Sequence, residues 1–128
     1  MGSAFLSTHE ANVDPVYRNM VIESTATDIV YSNLFTGVYA NFLRGSVARA
    51  GYDPDNLESG DMSTMNFGES GTTAVKVWRD IWSAGHGVGA LTSSQHVSNL
   101  VDTWVREYAE AIADLESRVH PQSSSITV

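Results

Sequence analysis

The chain has 128 residues, enough for one domain of ordinary size. A hydrophobic content of 42% and a charged content of 17% exclude a disordered polymer, and a net charge of -8 excludes nucleic acid or anionic membrane as the main partner. The absence of cysteine removes thiol catalysis, disulfides and Cys-based metal sites, and no apolar run approaches the roughly 20 residues of a bilayer span, so a cytoplasmic protein is expected.

Met1-Gly2-Ser3-Ala4-Phe5-Leu6 is a short apolar run with small residues at its start, and it reads as a strand. Asp14 then offers an N-cap and Pro15 suits the first helical position, with Val16, Tyr17, Met20 and Val21 on one stripe, which predicts a helix over 15–24. Residues 28–35 hold Ile29, Tyr31 and Phe35 and read as a short extended segment. After Thr36-Gly37, the apolar positions Tyr39, Phe42, Leu43, Val47 and Ala50 predict a helix over 38–50, ended by Gly51 as a left-handed cap. Residues 52–72 mix Gly with Ser, Thr, Asn and Glu and read as a long loop.

Ala74, Val75, Trp78, Ile81 and Trp82 predict a third helix over 73–84, and two tryptophans on one stripe demand a large partner surface. Gly85-His86-Gly87-Val88-Gly89 follows as a turn. Thr92 and Gln95 have capping-box spacing, and Val97, Leu100, Val101, Trp104, Val105, Tyr108, Ile112, Leu115 and Val119 keep the helical period, which predicts a final helix over 93–119. Pro121 and the Ser-rich end, 121–128, read as a disordered tail. The inventory is mostly α, with too few strands for a sheet of its own; a complete (β/α)8 barrel takes about 250 residues, so this chain can hold only the last part of one.

Two stretches can carry chemistry. Gly2-Ser3 at a strand end lets backbone N–H groups and a hydroxyl approach a phosphate, although an ordinary small-residue strand start accounts for the same dipeptide. Gly85-His86-Gly87-Val88-Gly89 allows close backbone approach to an anion, although the spacing is not a dinucleotide fingerprint and a plain turn explains it as well. His9, His96 and His120 show no ligand spacing, so no metal site is expected. Glu107, Glu110, Asp114 and Glu116 lie opposite the apolar stripe of the last helix and read as a solvated face. No nucleophile motif is present, so composition and spacing alone name no reaction and no catalytic residue.

The run from Met1 to Asn12 followed by Asp14-Pro15-Val16-Tyr17 resembles the C-terminal part of the nitronate monooxygenase (2-nitropropane dioxygenase) family. So do Asp28-Ile29-Val30, Leu34-Phe35-Thr36-Gly37, Asn41-Phe42-Leu43-Arg44 and Ile81-Trp82-Ser83-Ala84-Gly85-His86-Gly87-Val88-Gly89, in that order, with Leu100-Val101 to Glu107-Tyr108 resembling the terminal helix. The resemblance covers residues 1–112 and implies the C-terminal fragment of an FMN-dependent TIM-barrel oxidoreductase with an added helical region. Such enzymes oxidise alkyl nitronates with O2 to nitrite and a carbonyl product; relatives of similar fold include flavin-dependent enoyl-ACP reductases and quinone reductases.

On that resemblance, Met1, Gly2 and Ser3 stand where the family has Met-Gly-Thr at the flavin phosphate, and Gly85 and His86 belong to a turn near the flavin, His86 replacing a glutamine. The family's catalytic histidine and phosphate loop lie on earlier strands, so none is expected here. Residues 1–25 would be the last strand and its helix, 26–72 a helical insertion with a long loop, and 73–120 helices packing on the barrel. The partner implied is an N-terminal barrel half, on the same or a separate polypeptide, and the segment alone is expected to be inactive. Two alternatives stay open: one half of a split flavin reductase, and a non-enzymatic helical module that buries Trp78, Trp82 and Trp104 within itself or in a homodimer.

Overall fold

A computed structural model describes residues 2–60 and 77–119. The expected disordered tail, residues 61–72 of the long loop and the first four residues of the expected helix over 73–84 lie outside the described residues. Gly2–Leu6 forms a single helical turn, α1, where a strand was expected. A strand needs a neighbour to take its backbone groups, and no named strand among the described residues pairs with this run. The turn satisfies them locally: Ser7 N–H donates to Ala4 O at 3.3 Å and Thr8 N–H to Phe5 O at 3.2 Å, while the Ser7 and Thr8 hydroxyls donate to the same two carbonyls at 2.8 Å. Both hydroxyl residues are buried.

Helix α2, Pro15–Glu23, starts as read from the sequence: the Asp14 carboxylate accepts the Val16 N–H at 2.7 Å, and Pro15 follows the cap. A 3-10 turn, Ala26–Asp28, then enters strand β1, Ile29–Ser32. Across that turn the Thr25 N–H and hydroxyl both donate to the Asp28 carboxylate at 2.8 Å. These bonds, the backbone one foremost, hold the Asp28 carboxyl below its usual value of 3.8. Its stabilising effect is therefore present above that value and lost as pH falls through the depressed pKa. Asp28→Asn should lower the urea midpoint at pH 7 and leave it unchanged at a pH below both pKa values.

The expected helix over 38–50 divides at Leu43. Its first part is strand β2, Ala40–Leu43, antiparallel to β1 with Ile29 opposite Leu43 and Val30 opposite Phe42. Only its second part is helical, α3, Arg44–Arg49. Aromatic and branched residues at 39–43 suit a strand once β1 is there to pair with. The cap at Gly51 holds, with φ of 90°. The expected helix over 73–84 is reduced in the described part to α4, Val77–Asp80, after which Phe42 and Ser83 form an antiparallel bridge and Leu43 N–H donates to Trp82 O at 2.8 Å. Residues 81–84 are thus a third extended segment.

Strand alternation explains the core. Leu43 and Trp82 join Val21, Ala84 and Val88 in one buried cluster, whereas their chain neighbours Phe42 and Ile81 join Phe35 and Val47 in another. The two segments therefore separate two small cores, one under α2 and one under α3. Ser46, fully buried, ties them: its hydroxyl donates to Leu43 O at 2.8 Å and accepts the Trp82 N–H at 2.9 Å. Ser46→Ala leaves that N–H unpaired and should cost about 1–3 kcal/mol in urea unfolding.

Asn33 clasps the far side of the hairpin, accepting the Gly60 N–H and donating to Gly60 O, each at 3.0 Å. A Cβ on Gly60 would sit 2.5 Å from Asn33 O and 2.8 Å from Leu34 Cα, both backbone atoms that cannot swing aside. Gly60→Ala should cost about 1–3 kcal/mol by the same measurement.

After the 3-10 turn His86–Ala90 the chain reaches α5, Val97–Val119. The expected start at 93 moves to Val97, with Leu100 N–H donating to His96 O at 3.1 Å, so Thr92 is outside the cap. The chain divides into two compact units, residues 1–94 and 95–128. Within α5 only Leu100 is buried. No helix among the described residues is long and apolar enough to cross a membrane.

Candidate functional site

The two stretches singled out in the sequence meet. Ser3 lies in α1 and Gly85 caps the 3-10 turn His86–Ala90, and the Gly85 N–H donates to Ser3 Oγ at 2.7 Å. They are 82 positions apart in the chain. A second bond fastens the same segments: the Ser94 hydroxyl donates to Ser7 O at 2.7 Å and lies 3.2 Å from His9 Nδ1. Ser94 carried no signal in the sequence, and His9, inside the run that resembles the family, stood out only as lacking metal-ligand spacing; their contact depends wholly on folding.

Of the other expected site residues, Gly2 is exposed at the start of α1 and His86 is exposed at the start of its turn. Met1 lies outside the described residues. A Cβ at Gly2 or Gly87 would meet nothing within 4 Å, so open space adjoins both stretches, whereas one on Gly85 would touch Ser3 Oγ at 3.4 Å. That distance is ordinary van der Waals contact, so the approach of the two segments leaves room for a small side chain at Gly85.

In Ser3 Oγ one lone pair is taken by Gly85, and the hydroxyl proton remains available to an acceptor outside these segments. A hydroxyl, small residues and open space are in kind what a flavin phosphate oxygen requires, so the residues fit that group at one edge. They do not enclose it. Among the described residues no group of His, Asp or Glu could hold a metal ion.

The floor of this region is the first core. Trp82 stacks on Tyr17 with centroids 4.9 Å apart, carries the Arg49 guanidinium 4.0 Å above its ring, and donates its indole N–H to Arg79 O at 2.8 Å. The Tyr17 hydroxyl donates to Ser83 O, and burial pushes its pKa above 10.0. That contribution to stability is present below pH 10.0 and is lost as pH rises through the raised pKa. Tyr17→Phe should make unfolding less alkali-sensitive. Away from the Ser3–Gly85 junction, an open groove of about 260 Å³ runs beside β1 past Tyr31, Asn33, Tyr39, Asp55 and Glu58. Its floor is polar, and the stacked Tyr31 and Tyr39 rings form its aromatic wall.

No family model matches the chain. Over 112 residues it is 25% identical to a probable nitronate monooxygenase of Staphylococcus haemolyticus, a match covering 84% of this chain and 31% of that protein. In fold it is similar to FabK from Thermotoga maritima over 92% of this chain and 39% of that one, at 19% identity and a TM-score of 0.58. A point mutant of the same FabK gives a TM-score of 0.60 at 20% identity, over 92% of this chain and 36% of that one. These structural neighbours are TIM-barrel proteins. The chain thus spans about a third of the proteins it matches, and the motifs read in its sequence and the curated match point the same way, to a likeness with the nitronate monooxygenase family.

Proposed function

We propose that the chain is the C-terminal segment of an FMN-dependent oxidoreductase of nitronate monooxygenase type, working in the cytoplasm and inactive by itself. The observation that carries this reading is the Ser3–Gly85 hydrogen bond, which brings together the two stretches that resemble the family's flavin-contacting motifs, in a chain 25% identical to a probable nitronate monooxygenase. The match to only 31% of that relative supports a requirement for the preceding part of a barrel, supplied on the same or a separate polypeptide.

When bound, the flavin would take electrons from an alkyl nitronate and pass them to O2, with nitrite and a carbonyl compound as products. This chain's own part is to bind. Ser3 offers its hydroxyl proton to a phosphate oxygen while Gly85 fixes the oxygen that bears it, and Gly2 leaves the approach open. Met1 and His86 belong to the same edge by their place in the motifs. No residue here is assigned to proton abstraction.

The test compares the chain alone with the chain joined to a preceding barrel portion of the family. The chain alone should not retain stoichiometric FMN on gel filtration, and the joined protein should. In the joined protein, Ser3→Ala should weaken FMN binding about 5- to 10-fold by flavin fluorescence titration, the loss of roughly one hydrogen bond to a charged group. Tight retention by the chain alone, or an unchanged affinity in Ser3→Ala, overturns the reading. The FabK-like fold favours a second reading, half of a split flavin reductase of enoyl-ACP or quinone reductase type. The joined protein separates the two: nitronate-dependent O2 uptake supports the first, and NAD(P)H oxidation without nitronate the second.

A further inference from the structure

The groove beside β1 is held open by its own walls. One wall is the loop over 53–60, which is fastened to the hairpin at three points. Leu57 packs against the second core, Arg44 donates through Nη1 to both oxygens of Asp55 at 2.8 Å, and the Asn33 amide exchanges two hydrogen bonds with Gly60 at 3.0 Å. The space left is about 260 Å³. On its other side Tyr31 and Tyr39, stacked on each other, remain 67% and 59% exposed. Walls fixed before a ligand arrives lower the ordering cost of taking one.

The charges around this space are of one sign. Residues 53–60 hold Asp53, Asp55 and Glu58 and no Lys or Arg. Asp53 accepts the Asp55 N–H at 3.0 Å, and Asp55 is neutralised by Arg44. Glu58 lines the groove with no cation beside it among the described residues. Four consecutive residues, 30–33, also line the groove, which side chains on alternate faces cannot do alone, so the edge of β1 faces it. The carbonyls on that edge point away from β2 and add hydrogen-bond acceptors.

We propose that this groove binds a small organic cation, a guanidinium or alkylammonium carried on a short aliphatic stem. The cation lies against the Tyr31–Tyr39 wall and meets the Glu58 carboxylate, while the β1 carbonyls take its remaining N–H groups. An anion would be repelled by Glu58, and an uncharged apolar group would cover carbonyls without pairing them. The chain pairs a ring and a cation elsewhere in the same way, with the Arg49 guanidinium 4.0 Å over Trp82. The volume is below the roughly 300–1,000 Å³ of pockets for drug-sized ligands, so the occupant is about as large as an arginine side chain. Every lining residue belongs to the first unit, so the site depends neither on the placement of α5 nor on a flavin.

The full chain titrated with N-butylguanidinium and followed by amide NMR should show saturable shifts around 30–33, 39 and 54–59, with a dissociation constant on the order of 5 mM. N-butylurea, its uncharged counterpart, should bind at least about 10-fold more weakly, and so should acetate. Glu58→Gln should raise the constant about 5- to 10-fold and Tyr31→Ala about 3- to 5-fold. Both side chains are exposed, so neither variant should unfold the chain, which the urea midpoint checks. Glu23→Gln removes the same charge from a residue that does not line the groove and should leave the constant unchanged. An equal loss in Glu23→Gln would mean only a diffuse attraction to a chain of net charge -8, and that result, or shifts that do not saturate, overturns the proposal. The joined protein, without flavin, should give the same constant. If it does not bind N-butylguanidinium, the preceding portion fills the groove and the proposal fails. Flavin enters none of these readings, so they stand or fall apart from flavin binding.

Discussion

Trp82→Ala is expected to cost about 3–5 kcal/mol in urea unfolding, the range for removing a large aromatic side chain from a core. The indole is 7% exposed and does three things at once: it fills the cluster with Val21, Leu43 and Val88, stacks on Tyr17, and lies beneath Arg49. None of its neighbours is long enough to collapse into the space while also taking the place of the ring under the guanidinium. Small domains have only about 5–15 kcal/mol of stability in all, so this variant should stand near the edge of folding. Trp82→Phe separates the contributions. It keeps an aromatic ring on Tyr17 but leaves Arg79 O without the indole N–H, and should cost about 1–2 kcal/mol beyond the change in volume.

Phe42→Ala should have an effect of similar size, about 3–5 kcal/mol, through the other core. Phe42 is 2% exposed, meets Phe35 edge-to-face at 5.1 Å, and stands in β2 opposite Val30 on one side and bridged to Ser83 on the other. The loss should be accompanied by loosening of the Phe35–Tyr52 contact, also edge-to-face at 5.1 Å, so the near-ultraviolet signal of Tyr52 reports it. Phe42→Leu keeps most of the volume and should cost about 1–1.5 kcal/mol. A result in which Phe42→Ala is as mild as Phe42→Leu would show that this second cluster contributes little to the fold.

Where the sequence could be read, the signal was local. Asp14-Pro15 announces α2 because the cap needs only residues two positions apart, and α5 follows from spacing sustained over 97–119. β1 follows from its β-branched and aromatic residues. Residues 40–43 could not be placed this way. Phe42 and Leu43 fit one stripe of a helix as well as two faces of a strand, and what decides between these is pairing with Val30 and Ser83, which no local pattern contains. The run at 2–6 erred in the opposite direction: apolar enough for a strand, it closes on itself in a helical turn. The candidate site shows the same division. Ser3 and Gly85 each stood out by residue type, but their hydrogen bond, and that of Ser94 to Ser7, exists only because the ends of the first unit meet.

That meeting of ends bears on the order in which the chain folds. Ile81, Trp82, Ala84 and Val88 contribute to both buried clusters, and the remaining members come from residues 21–47. As the polypeptide emerges during synthesis, neither core can close until the stretch 81–88 has been made. α1 must also wait for Gly85 and Ser94 before it is fastened. Long loops must then be closed late, which slows folding relative to a domain built from neighbouring contacts. A nascent chain stalled before residue 81 would expose Phe42, Leu43 and Val47 together, and in that interval, before the finished protein exists, aggregation is the greater hazard.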